Sequence, residues 1–155
     1  MSWTAANPVQ RMSLEDVAPR TYASLARFSD GARQALPEAV AALIDIRVSQ
    51  LNGCAYCLEM HYPQARAAGV DERRLDTLPA WRDSPLFSPA EQAALALAEA
   101  VTELGPDGVP DAVWAQAAAS FDDEVLAGIV LTAIAMNAWN RVAISTHMAA
   151  QLAAA

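Results

Sequence analysis

The chain has 155 residues, 54% of them apolar, and 18 acidic against 10 basic side chains for a formal net charge of -8. That length fits one domain with a single buried core, and abundant alanine with little Gly or Pro excludes disordered and fibrous classes in favour of helices. All the basic residues are arginines and they are scattered along the chain, so no basic face marks a nucleic-acid partner.

The opening stretch MSWTAANPVQRM lacks the basic start and the apolar run of about 7 to 15 residues that a secretory signal needs, so a cytoplasmic protein is expected. Residues 1–18 show no clear period and read as an arm with at most one short turn, ahead of a helical domain over 19–155. Apolar residues at helical spacing (Tyr22, Leu25, Ala26, Phe28) predict a first helix from Pro19 to Gln34. Pro37 and Glu38 open a second, with an apolar stripe of Val40, Leu43, Ile44, Val48 and Leu51, which Asn52-Gly53 ends. A third begins at or near Cys54 and runs to Ala68, with Gly69 as a left-handed cap and Pro63 predicting a kink or restart one turn after His61.

Asp71 caps a short helix to Leu78, PAWRDSPLF (79–87) reads as a loop with two aromatic anchors, and SPAE (88–91) is a capping box opening a helix to Leu104. The turn GPDGVP (105–110) precedes a helix over Asp111 to Ser120. Ser120 or Asp122 caps the last helix, which runs unbroken through Trp139 with Gly128 as its weak point. Its longest apolar run, Val125 to Met136, falls short of the roughly 20 residues that cross a bilayer, so it reads as a core helix with no membrane association. No segment alternates as a strand would. The expectation is an all-α, single-domain fold of six to eight helices.

The chemistry concentrates in QLNGCAYCLEMH. Spacings of three and four residues put Cys54, Cys57 and His61 on one helical face, and an i, i+3 pair lets two sulfurs bond with little backbone movement. So small a loop is a poor staple in a reducing compartment, which leaves redox or metal chemistry. At a helix start, unpaired N–H groups and the dipole favour a thiolate. A thiol with a pKa near 8.5 is only about 3% ionised at pH 7; lowering it to about 7 ionises half, a gain of roughly fifteen-fold. His61 is the natural base. Two other readings stand beside this one: a zinc module, with His147 as the only other histidine to complete the ligands, and a buried structural pair beside an incidental histidine.

The stretch ALIDIRVSQLNGCAYCLEMHYPQARAAG (42–69), together with residues 74–104 and AIAMNAWNRVAI (133–144), resembles the alkylhydroperoxidase D-like branch of the carboxymuconolactone decarboxylase family, whose core motif is CxxC followed after three residues by His. The resemblance implies an all-helical fold that assembles into dimers, trimers or hexamers. It implies that Cys57 attacks a hydroperoxide, that Cys54 resolves the sulfenic acid as a disulfide, and that His61 relays protons. A dithiol, lipoylated or thioredoxin-like partner then reduces the pair, and no cofactor or metal is required. The decarboxylase branch generally lacks the cysteine pair, which argues against lactone decarboxylation.

Family members with peroxidase activity usually carry a glutamate twelve residues before the first cysteine, and here that position is Ala42. Glu38 and Asp45 lie about one helical turn to either side, each displaced by roughly 5 Å along the axis. Each alone reads as a solvated surface acid, and Asp45 is the better substitute because it is nearer the cysteine helix. Tyr56, between the cysteines, reads as packing or as a hydrogen-bond donor to the relay. Glu59 is expected on the surface, Trp139 in the core, and Asn140 beside it is placed to orient a backbone group. Without the relay glutamate, a redox-responsive or structural oligomer with weak catalysis is the alternative, and apolar surface left over on the last helix suggests self-association either way.

Overall fold

Proline and short polar caps set the helix starts in this structure, a computed structural model that describes residues 9–149. In chain order the elements are α1 (Leu14–Val17), α2 (Pro19–Arg33), α3 (Glu38–Asn52), α4 (Ala55–Ala67), α5 (Glu72–Thr77), a 3-10 helix (Leu78–Asp83), α6 (Pro89–Thr102), α7 (Asp111–Ser120) and α8 (Asp123–Thr146). Among the described residues there is no β-strand. Side chains of Asp71, Ser88 and Asp122 each accept a first-turn N–H, and Ser88 with Glu91 completes the capping box. The start of the arm, before residue 9, lies outside the described residues; its end forms α1, and Arg11 N–H donates to the Thr146 carbonyl at 2.8 Å.

α3 is the axis of the fold. Every residue from Ala41 to Ile46 is buried, as are Val48 and Ser49, because α4, α6, α8 and the 3-10 helix pack around it. The five-residue stripe expected from periodicity is therefore too narrow, and Val40 and Leu51 are only half-buried. One side of α3 (Ala41, Ile44, Val48) meets Leu97, Ile129 and Met136, and the two cysteines belong to this cluster. The other side (Leu43, Ile46) meets Leu75, Leu78, Trp81 and Leu95. Each fully buried Leu or Ile is worth about 1.5 to 3 kcal/mol of transfer free energy.

α8 spans 24 residues and is long and apolar enough by composition to cross a membrane, yet it packs along α2, α3 and α6. Gly128 is a close-approach point rather than a weak one, since a Cβ there would lie 3.1 Å from Leu36 Cδ2. Leu131, Ile134 and Ile144 remain exposed on its outer face.

Two local expectations need correction. Leu78–Asp83 is a 3-10 helix rather than loop, held by the indole N–H of Trp81, which donates to Glu99 at 2.7 Å, and both aromatic anchors, Trp81 and Phe87, are buried. Pro63 leaves α4 unbroken. Pro63 and Glu59 are both exposed, so the carbonyl that proline deprives of a partner faces water and loses little.

Candidate active site

Asn52 closes α3, and Gly53 turns the chain through φ 67°, a left-handed conformation that costs glycine nothing. Cys54 then sits in extended backbone as the N-cap of α4, its sulfur accepting the Cys57 N–H at 3.4 Å. Cys57 follows in the first turn, with Cα atoms 5.4 Å apart, and the two are joined as a disulfide. The turn is pinned from behind. The Asn52 amide donates to Asn137 at 3.0 Å and Asn140 at 2.9 Å, and Asn140 donates to the Ser49 hydroxyl at 3.0 Å. Asn140 thus orients side chains of the cysteine turn, not the backbone group expected of it.

A cavity of about 530 Å³ opens beside the pair, and Cys57 lines it while Cys54 does not. His61, one turn further along α4, shares that lining with Asp45 of α3 and Arg33 of α2. Apolar side chains line it as well, with Tyr22 packed edge-on against Trp139 at 5.0 Å between ring centroids, and Met60 and Met136. Trp139 is consequently half core and half cavity wall. Tyr56 lines the cavity and is half-buried, packed against the core cluster, whereas Glu59 is exposed.

The two candidate substitutes for the relay acid separate clearly. Glu38 is exposed at the cavity edge. Asp45 is only 3% exposed, which overturns its reading as a solvated acid: one carboxylate oxygen, Oδ2, pairs with Arg33 and lies 3.7 Å from His61 Nδ1. Ala42, between them, lines the cavity with a methyl group. Burial pushes the Asp45 carboxyl above its ordinary range, and the charges of His61 and Arg33, with the Arg33 hydrogen bond, only partly offset it. Burial likewise pushes His61 down; Asp45 pulls it back and Arg33 pushes it further down. An imidazole held neutral this way can accept a proton from a neighbouring thiol.

Sequence reasoning places Cys54, Cys57, His61 and Asp45 in one neighbourhood, and the structure brings the last three to one cavity. It misses Arg33, which ends α2 and reaches a partner twelve residues on across a turn. No local pattern announces such a pair; the only available signal is an acid too apolar in its surroundings to be left without a cation. His147 caps α8 in a left-handed conformation, and among the described residues no three His, Cys, Asp or Glu side chains gather as a metal site.

Comparison with known proteins agrees with the fold. The profile of the carboxymuconolactone decarboxylase family matches residues 19–100. The uncharacterised protein YdfG of Bacillus subtilis is 36% identical over 137 residues, covering 88% of this chain and 93% of YdfG. The uncharacterised YnjA of Escherichia coli is 33% identical over 94 residues, 61% of this chain and 51% of YnjA. A crystal structure of a protein of unknown function from Agrobacterium tumefaciens, provisionally grouped with the antioxidant defence protein AhpD, superposes with a TM-score of 0.88 at 28% identity, covering 93% of this chain and 99% of that one. The debrominase Bmp8, solved with 2,3,4-tribromopyrrole, shares the fold at a TM-score of 0.78 and 17% identity, over 88% of this chain and 74% of that one. The all-helical fold matches that of an AhpD-like protein, with Cys54 and Cys57 as a CxxC pair, and the chain belongs to the carboxymuconolactone decarboxylase family.

Proposed function

We propose that the chain is a thiol-dependent hydroperoxide reductase acting in antioxidant defence, cycling between the Cys54–Cys57 disulfide and the dithiol. One observation carries this reading: Cys57 of the disulfide lines one cavity with a histidine that has a buried acid 3.7 Å behind it. In the reduced protein His61 takes the Cys57 proton. The thiolate attacks the outer oxygen of ROOH, the O–O bond breaks, and RO⁻ leaves with the proton returned by His61, giving ROH and the Cys57 sulfenic acid. The Cys54 thiol then attacks Cys57 Sγ and expels water, restoring the disulfide. A dithiol such as a lipoylated or thioredoxin-like protein donates two electrons and two protons to complete the cycle.

The surroundings of the two cysteines support these roles. Cys57 lines the cavity together with His61. Cys54 is buried as a helix cap, where the Cys57 N–H steadies it as the leaving thiolate when a reductant attacks Cys57 from the cavity. A cytoplasmic setting supplies such dithiols, and association of copies through the exposed face of α8 belongs to the same proposal.

Turnover of cumene hydroperoxide with reduced dihydrolipoamide tests the reading. The wild type should consume both in equal amounts, Cys57→Ser neither, and Cys54→Ser should stop after one turnover with dimedone-reactive sulfenic acid at Cys57. Absence of turnover with a disulfide that still reduces and reoxidises would instead favour a redox-responsive oligomer.

A further inference from the structure

The Asp45 carboxylate has a task that conflicts with its place: to steady His61 as it gains a proton it must carry charge, yet it lies in a site whose burial disfavours charge. Arg33 meets this need. Among the described residues lining the cavity it is the only arginine or lysine, and it pairs with the same oxygen of Asp45 that faces His61. Its place is built, not incidental. The last turn of α2 is fastened to α8 by the Thr132 hydroxyl, which donates to the Ala32 carbonyl at 3.3 Å, and by the approach of that carbonyl to Gly128, where a Cβ would lie 3.4 Å away.

We propose that Arg33 is a positioning residue for the thiol chemistry: by pairing with Asp45 it keeps that buried carboxylate charged and aimed at His61, so that the imidazole can take and hold the Cys57 proton. The inference rests on the thiol reading of the site. Other groups facing the cluster do not supply the charge. From α2, Asp30 is acidic and Tyr22 is a phenol; from α3, Glu38 is acidic; from α4, Tyr56 is a phenol and Gln64 a neutral amide; α8 brings only Met136, Trp139 and Ala143. Without Arg33 the carboxyl takes up a proton and His61 loses the charge that favours its imidazolium form. The Cys57 thiolate then loses the imidazolium that stabilises it.

Alkylation of the reduced Cys54→Ser protein by iodoacetamide reports on Cys57 alone and needs neither peroxide nor dithiol. In that background Arg33→Gln should move the midpoint of the rate-against-pH curve up by about one unit, slowing alkylation about tenfold below it. Arg33→Lys should return it to within about half a unit, because a cation is what the carboxylate requires. Asp45→Asn should give the same shift as Arg33→Gln, and the two together no more than either. An unmoved midpoint in Arg33→Gln, or a full additional shift in the double variant, would overturn the assignment. If Arg33→Gln loses its helical circular dichroism, Arg33→Met, which keeps the aliphatic stem, faces the same two outcomes. Should hydroperoxide turnover be absent while the midpoint moves, the peroxide reading falls and the role of Arg33 stands; turnover with an unmoved midpoint keeps the peroxide reading and removes the role of Arg33.

Discussion

Two buried carboxylates flank α3, and they have opposite characters. Glu99, on α6, receives Arg47 Nε and Trp81 Nε1 at 2.7 Å each, and Arg82 pairs with its other oxygen. Burial works to raise its pKa, but hydrogen bonds from Trp81, Arg82 and Arg47 outweigh that and hold it below the usual carboxylate range. Asp45, two positions before Arg47 on α3, has one close partner, a histidine beyond hydrogen-bond distance, and a pKa raised by burial. Glu99 is not among the residues lining the cavity and Asp45 is. A carboxylate whose acceptor positions are filled fastens helices together; one left short of partners, lining a cavity with a histidine and a cysteine, depends on its single cation to stay charged.

Substitutions should separate the two sides. The largest effect is expected at Cys57→Ser, which should lower hydroperoxide turnover by at least about 10³-fold, since the remaining thiol, Cys54, does not line the cavity. Asp45→Asn should cost about 10²-fold in turnover, the usual size of a lost acid-base contribution, with the thermal midpoint only slightly changed. Glu99→Gln should show the reverse: two arginines lose their counter-charge, stability falls by about 3 kcal/mol and the midpoint by roughly 10 °C, while turnover of the folded protein stays within about threefold of wild type. Calorimetry beside a steady-state assay reads both quantities. Equal losses of turnover in the Asp45 and Glu99 variants would erase the distinction.

Smaller effects sharpen it. Because burial depresses His61 in the folded chain, the unfolded chain binds the extra proton first as pH falls. The His61 contribution to stability is therefore present above about pH 6.5 and is lost as pH drops through the folded value. His61→Gln should flatten that slope in urea titrations below about pH 6.5. Glu38→Gln, at the exposed cavity edge, should change turnover less than about twofold, and a larger change would make Glu38 the relay acid instead.

Much of the fold is legible in the sequence because its punctuation is local. Pro19, Pro37, Gly53, Gly69, Ser88 and Asp122 bound helices that fall within a residue or two of expectation. Cys54, Cys57 and His61 are legible for the same reason, their spacing being that of one helix face. What escapes depends on distant partners. The 3-10 helix exists because Trp81 finds Glu99 eighteen residues away, and the burial of Asp45 follows from three helices closing around α3 together with Arg33 reaching in from a fourth element. Period and composition carry no record of such closures, so an acid in an apolar helix looks solvated until its cation is located.

A single turnover tests the central claim most directly: fully reduced protein mixed with one equivalent of cumene hydroperoxide, with free thiols, protein mass and cumyl alcohol measured together. Loss of two thiols and about 2 Da per chain, with one equivalent of alcohol formed, is the expected result. Free thiols that persist while the hydroperoxide remains unconsumed would contradict it.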